Sequence, residues 1–136
     1  TGLENRVEEV RKASYDLIAV PAESALPLVR ALDCKVKQGV LSNHSTDYVK
    51  QIRKLTGIER YVKPEQFIVS SEVGLANPDP RIFELAIDRV GVEPEWILFF
   101  DDKIENVRAA RAAGMLAFPY EIQQDAQSVL QRYNLL

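Results

Sequence analysis

The sequence predicts an α/β fold, a doubly wound parallel sheet with helices packed on both of its faces. Short apolar segments alternate along the chain with segments of helical spacing. Strands separated by helices are joined by right-handed crossovers, so neighbouring strands run parallel. The segment ILFF at 97–100 is wholly apolar, as a strand buried on both faces requires.

Each element has its own local signal. Four strands are recognisable, at 36–41, 66–70, 96–100 and 116–118. Helices are predicted at 24–32, 45–55, 80–90, 105–113 and 123–133, and the segment 6–18 has loose helical spacing. Asp79-Pro80 is a strong helix start, and Gly91 is a typical stop. In the helix that Ser45 or Thr46 would cap, the residues predicted to face inward are Tyr48, Val49, Ile52 and Leu55.

Composition limits the possible functions. The chain has 136 residues, which suggests one domain, and it is 46% hydrophobic and 27% charged. A net charge of -3 argues against a general nucleic-acid or anionic-membrane surface, and no apolar run approaches the ~18 residues of a membrane span. Cys34 is the single cysteine, which fits a reducing cytoplasm. His44 is the single histidine, which argues against a histidine metal cluster or a Ser-His-Asp triad.

Polar residues follow three of the predicted strands. Ser42-Asn43 follows the first, the stretch 70–72 the second, and Asp101-Asp102 the third. In parallel sheets ligands bind outside the carboxyl ends of the strands, so the topology is expected to bring these residues together. Two adjacent aspartates at the end of a buried strand require a nearby cation or a protonated carboxyl group. Asn106, one turn into the next helix, is either a supporting contact or part of a solvated face.

Three segments carry a resemblance to a known family. LSNHSTDYVKQI, SSEVGLANPDPRIFELAIDRVG and ILFFDDKIENVRAARAAGM resemble, in order and spacing, the second, third and fourth motifs of the haloacid dehalogenase-like (HAD) hydrolases. The resemblance covers about residues 22–120 and is greatest to the branch with a helical cap. It implies that residues 1–20 are a remnant of the cap or a linker and that residues 21–136 form the α/β core.

The resemblance implies a Mg²⁺-dependent phosphatase of a small phosphorylated metabolite, or a related dehalogenase. In that family an aspartate after the first strand attacks phosphorus. By the resemblance, Ser42 and the backbone amide of Asn43 bind phosphoryl oxygens, and Asp101 and Asp102 hold Mg²⁺, with Asp102 favoured as the direct ligand. The substrate itself is set by cap residues and cannot be named.

Two departures from the family pattern affect the expected activity. No Asp-x-Asp motif follows an apolar strand; Asp16 precedes its apolar run and is not expected to serve, so no catalytic residue is assigned. Asn77 in GLANPDP stands where the family pattern GxxKPDP has a lysine, and an amide donates hydrogen bonds without supplying positive charge. Lys103 either compensates in part or is a solvated loop charge.

The missing motif would also have been the central strand of the sheet. Without it, the flanking strands pair directly, another chain inserts a strand, or the sequence is part of a longer protein. An open slot favours a homodimer or a complementing chain. The leading hypothesis is a HAD-like phosphatase that is inactive as this chain alone. The rival hypotheses are a non-catalytic HAD-fold binding or assembly protein and a two-chain enzyme.

Overall fold

Five parallel strands form one sheet within the described residues, and its strand order is β3-β2-β1-β4-β5. The computed structural model describes residues 15–18, 22–33, 36–43, 45–75, 78–120, 123–133 and 135. The strands are β1 (Tyr15–Ile18), β2 (Lys37–Ser42), β3 (Phe67–Val69), β4 (Ile97–Asp101) and β5 (Leu116–Pro119). From β1 the chain moves outward to β2 and β3 on one side, and it then returns to add β4 and β5 on the other.

Helices connect the strands, and their ends follow the local signals in the sequence. They are α1 (Ala22–Ala31), α2 (Thr46–Thr56), α3 (Ser70–Val73), α4 (Pro80–Val90), α5 (Ile104–Ala112) and α6 (Gln123–Arg132). Ser45 caps α2, because its hydroxyl accepts a 3.2 Å hydrogen bond from the Tyr48 amide. Asp79 caps α4 by accepting from the Arg81 amide at 2.9 Å, and α4 ends at Gly91 with φ 76°.

Apolar side chains fill both faces of the sheet, which confirms the predicted doubly wound parallel architecture. On one face Val40, Phe67, Leu98 and Phe100 pack against α1, α2 and α6. On the other face Leu41, Ile68, Ile97 and Phe99 pack against α4 and α5. Alternate residues of β4 therefore serve opposite faces, and every residue of that strand is buried, as its apolar sequence predicted.

The central strand corrects the prediction that the first strand is absent from this chain. Tyr15–Ile18 occupies the central place and pairs in parallel with both β2 and β4. A strand there satisfies the backbone groups that an empty slot would have left unpaired. The central position of the sheet, whose expected vacancy favoured a homodimer or a complementing chain, is therefore occupied by β1. The segment 15–18 is also not helical; residues 1–14 and 19–21 lie outside the described residues, so the division of the chain near residue 20 remains a prediction.

Helix α2 is less deeply packed than its apolar spacing predicted. Val49 is buried and Ile52 is half-buried, but Tyr48 is 42% exposed and Leu55 is 81% exposed. The helix presents a narrower apolar stripe to the sheet than the four-residue pattern suggested, because only part of that pattern faces α1 and β3. The prediction that Tyr48 and Leu55 face inward is wrong.

Within the part of the chain that the structure describes, no helix has the length and apolar character needed to cross a bilayer.

Among the four glycines of the described residues that have a positive φ, Gly114, which joins α5 to β5, is expected to be the least tolerant of alanine. Its φ is 99°, and an added Cβ would lie 3.1 Å from Cγ and 3.3 Å from Cβ of Pro94. Gly91 has a φ of 76° but nothing within 4 Å of an added Cβ. We expect Gly91→Ala to lower the free energy of unfolding by about 1 kcal/mol, and Gly114→Ala by about 1 kcal/mol more because the Pro94 ring cannot yield freely. Urea unfolding of the two variants measures the difference; equal losses would contradict it.

Candidate active site

The carboxyl ends of β2 and β4 flank the carboxyl end of β1. In register, Ile18 is opposite Val40 on one side and Phe100 on the other, so Ser42 and Asp101 both lie just beyond the last residue of β1. Two strand spacings of about 4.8 Å separate β2 from β4. After β1 the chain adds β2 and β3 on one side of the sheet, and it then adds β4 and β5 on the other side, so the strand order reverses between β1 and β4. Open α/β sheets bind ligands at such a switch point.

Asp101 is the most enclosed carboxylate of this edge. It is 1% exposed and ends the buried strand β4. Its Oδ1 accepts a hydrogen bond from the Lys103 amide at 2.8 Å, and its Oδ2 accepts one from Nδ2 of Asn106 at 3.0 Å. Asn106 is itself 4% exposed, in the first turn of α5. Of the two alternatives left open for Asn106, a supporting contact or a solvated face, the structure shows the contact.

Burial dominates the acid–base behaviour of Asp101. The pKa of this carboxyl is raised from an ordinary 3.8 to about 6, mainly by burial, while the bonds from Lys103 and Asn106 act in the opposite direction. The neighbouring Asp102 contributes to the raised pKa through a side-chain hydrogen bond and by charge repulsion. Two carboxyl groups so close favour a shared proton or a cation.

The pH dependence of stability follows from this shift, with a definite sign. Because the pKa of Asp101 is about 6 when folded and near 3.8 when unfolded, the folded state binds more protons in this interval. The contribution of Asp101 to stability is therefore fully present below about pH 3.8 and is lost as the pH rises through about 6. Asp101→Asn removes this titration, and the Asn106 amide can turn its oxygen toward the new amide group.

We expect the free energy of unfolding of Asp101→Asn, relative to the unsubstituted protein, to increase between pH 4 and pH 7 in metal-chelating buffer. Urea unfolding at several pH values measures it. Asp88→Asn, which removes an exposed carboxylate on α4, is the control and should follow the unsubstituted profile. Parallel profiles for Asp101→Asn and the unsubstituted protein would contradict the expectation.

The other predicted site residues lie at the same edge where they are described. Ser42 ends β2 and is half-buried, Asn43 follows it and is exposed, and Asp102 is exposed beside Asp101. Asn77, predicted as a phosphate-binding residue, lies outside the described residues. Lys103 is exposed, and within the described part of the chain no ion pair joins it to the two aspartates. Its backbone amide, and not its side-chain charge, supports Asp101.

One contact at this edge was not predicted from the sequence. The hydroxyl groups of Thr46 and Ser71 lie 2.9 Å apart, which ties the start of α2 to α3. These segments follow β2 and β3, so the bond fixes two adjacent carboxyl-edge loops to each other. No local pattern signals a hydrogen bond between residues 25 apart in sequence; only the neighbouring places of β2 and β3 in the sheet produce it.

The donor set suits Mg²⁺ better than zinc. The described residues contain no cluster of three or more histidine, cysteine or acidic side chains. Mg²⁺ needs no such cluster, because it commonly takes one or two carboxylates and completes its shell with water and phosphate oxygens. Asp101 and Asp102 supply two adjacent carboxylates at the end of β4, and hard oxygen ligands of this kind are those that Mg²⁺ prefers. These residues therefore fit the ion.

A family model for the haloacid dehalogenase-like hydrolases matches residues 4–114. The chain belongs to this family. This HAD-like chain is 36% identical over 113 residues to phosphatase MT3486 of Mycobacterium tuberculosis, a match that covers 82% of this chain and 51% of the relative. It is 38% identical over 80 residues to a glyceraldehyde 3-phosphate phosphatase of Methanothermobacter thermautotrophicus, covering 58% of this chain and 34% of the relative.

Solved structures share the fold of the HAD-like chain. A protein of Corynebacterium glutamicum superposes with a TM-score of 0.72 at 22% identity and covers 90% of this chain and 96% of its own. A HAD family enzyme of Bacteroides thetaiotaomicron, solved as a magnesium complex, gives 0.70 at 24% identity and covers 85% and 59%. Against the curated relatives, the HAD-like chain spans about half of the M. tuberculosis protein and a third of the archaeal one.

Proposed function

We propose that this chain is the core of a Mg²⁺-dependent phosphatase that acts on a small phosphorylated metabolite. The observation that carries the proposal is the position of Asp101, buried and hydrogen-bonded at the carboxyl end of β4, beside Asp102 and across β1 from Ser42. Phosphatases among the curated relatives support the reaction class. The single cysteine suits a reducing compartment, and we place the protein in the cytoplasm.

Each residue has a proposed role. The Ser42 hydroxyl and the Asn43 amide bind the phosphoryl oxygens, and the Asn77 side chain adds a hydrogen bond without charge. Asp101 and Asp102 hold Mg²⁺, Asp102 as the direct ligand because Asp101 already accepts two hydrogen bonds. When bound, Mg²⁺ supplies positive charge to the phosphoryl group. Asn106 and the Lys103 amide hold the Asp101 carboxylate in a fixed orientation at the end of β4.

The attacking group is not among these residues. Asp16 is the aspartate of β1, but its backbone is in register with Gln38 and Leu98, three residues before Asp101 along the sheet. At about 3.3 Å per residue this places it about 10 Å below the carboxyl edge. We therefore propose that the chain by itself is catalytically silent and that another polypeptide segment supplies the aspartate nucleophile.

Metal and phosphate binding test the proposal without relying on turnover. With Mn²⁺ in place of Mg²⁺, the ³¹P signal of inorganic phosphate should broaden in the presence of the protein, and Ser42→Ala should reduce the broadening. Ser128→Ala, which removes an exposed serine of α6, is the matched control and should leave it unchanged. Hydrolysis of p-nitrophenyl phosphate by this chain alone, lost in Asp102→Asn, would refute the proposed silence. Absence of any effect of Ser42→Ala would refute the phosphate site.

A non-catalytic binding or assembly protein is the second candidate. The place of Asp16 within β1, and not at its end, favours it. Such a protein would bind phosphate and Mg²⁺ at the same edge but would not turn over when a segment with the Asp-x-Asp motif is added in trans. Turnover on that addition would exclude this candidate.

A further inference from the structure

A cleft of about 530 Å³ opens at the amino-terminal edge of the sheet. The residues that line it come from the start of β2, the segment leading into β3 and the end of α4. Ser42 and Asp101 lie at the opposite edge. The six residues of β2, at about 3.3 Å each, put the two edges about 20 Å apart. The volume is in the range of small-molecule sites.

Four cationic side chains line this amino-edge cleft: Lys37, Arg60, Lys63 and Arg89. All four residues are exposed, and no ion pair joins any of them to another residue in the described part of the chain. Unpaired cations that converge on one cavity raise its potential and attract anions.

Three carboxylates line the cleft as well, but they do not cancel this charge. Glu59 is ion-paired with Arg53, whose Nε lies 2.8 Å from its Oε1 and which does not itself line the cleft. Asp33 and Glu65 remain, against four cations. The excess is two positive charges. A phosphomonoester carries about −1.5 to −2 near pH 7, so it matches this excess.

Gln38 provides a second, independent observation. Gln38 is one of the residues that line the cleft and is 3% exposed, and its Nε2 donates to the Val29 carbonyl oxygen at 2.8 Å. Because a carbonyl oxygen accepts only, this bond fixes which end of the amide is Oε1. That oxygen is buried and has no hydrogen-bond donor among the described residues. A buried acceptor without a donor is costly. A ligand hydroxyl that packs into the cleft floor, with a small shift of the side chains covering Oε1, would supply the donor.

We propose that the amino-edge cleft is a second ligand site, for a small organic phosphate that carries a hydroxyl group. The phosphate lies among the four cations, and the hydroxyl donates to Oε1 of Gln38. The site does not depend on the proposed phosphatase activity, because its occupant is a strand length away from Asp101. A ligand bound there cannot be the molecule that reacts at the carboxyl edge.

A titration of the ¹⁵N-labelled protein tests the proposal, with glycerol 3-phosphate as the probe and a chelator present to weaken binding at the carboxyl edge. We expect saturable amide shifts at 37–38, 60–63 and 89–90. Inorganic phosphate should bind about fivefold or more weakly, and glycerol should not bind. Shifts confined to the surroundings of Ser42 and Asp101 would overturn the proposal. So would equal binding of glycerol and glycerol 3-phosphate.

Variants distinguish the contacts to the phosphate of the ligand from the contact to its hydroxyl group. Lys63→Met and Arg89→Met, both at exposed positions, should each weaken glycerol 3-phosphate about fivefold or more, because each removes a charge-assisted contact. Lys50→Met removes an exposed lysine of α2 outside the cleft and should have no effect. Gln38→Leu should weaken glycerol 3-phosphate but leave inorganic phosphate unchanged. Equal effects of Lys50→Met and Lys63→Met, or no effect of Gln38→Leu, would overturn the proposal.

Discussion

Asp102→Asn is expected to weaken Mg²⁺ binding at the carboxyl edge by about 100-fold. Replacing residues that merely support a metal ligand costs about 10- to 100-fold, and Asp102 is the proposed direct ligand. The asparagine oxygen remains able to coordinate, but the negative charge that a hard dication prefers is lost. Asp102 is exposed, so this change is not expected to disturb the fold. Displacement of Mn²⁺ by Mg²⁺, followed by electron paramagnetic resonance, measures the affinity.

Asp88→Asn is the control for the charge itself. It changes the net charge by the same amount, and Asp88 lies on α4, within the last turns of the helix and away from the carboxyl edge. The affinity of this variant for Mg²⁺ should equal that of the unsubstituted protein. If Asp102→Asn and Asp88→Asn bind Mg²⁺ alike, the ion is held elsewhere or only by the general field of an acidic protein.

Phe99→Ala is expected to lower the free energy of unfolding by about 3–5 kcal/mol. Phe99 is fully buried in β4 and packs edge-to-face on Phe83 of α4, with ring centroids 5.6 Å apart and an interplanar angle of 88°. Its removal leaves a cavity between the sheet and α4, and it also removes the aromatic pair. A loss of this size is a large fraction of the total stability of about 5–15 kcal/mol that a domain has.

Phe118→Ala tests whether burial is the cause. Phe118 is only half-buried and lies on the edge strand β5, where its ring is 6.1 Å from that of Phe100. The same chemical change should therefore cost clearly less than at Phe99. Urea unfolding with an unchanged slope measures both losses. Equal losses would mean that β4 is not the centre of the core.

The predictions for Asp102→Asn and Phe99→Ala are related, because both depend on β4, the strand that Asp101 ends. The apolar run that buries Phe99 on one face and Phe100 on the other also holds the strand firmly up to its last residue. Asp101 is therefore fixed in position by the core below it and by the Lys103 amide and Asn106 above it. A rigid strand end is a suitable support for a metal ligand, because a side chain that is already held in position needs little further ordering when the metal binds.

The sequence by itself determined the features that depend on neighbours along the chain. Asp79 and Pro80 start a helix because a side-chain acceptor and a fixed φ suit its first turn, and Gly91 ends it because glycine accepts a positive φ. The apolar run before Asp101 predicted a strand buried on both faces. The order of strands and helices predicted a parallel sheet, and that sheet placed Ser42 and Asp101 at one edge.

Only the tertiary structure decided the rest, because the deciding contacts join distant segments. The four residues of β1 carry no strong strand signal, and their central place depends on the backbone groups that β2 and β4 offer them. Leu55 belongs to the same apolar pattern of α2 as buried Val49, yet it is 81% exposed. The pKa of Asp101 follows from how deeply β4 is enclosed. The amino-edge cleft exists because the sheet brings Lys37, Lys63 and Arg89 together from three separate segments.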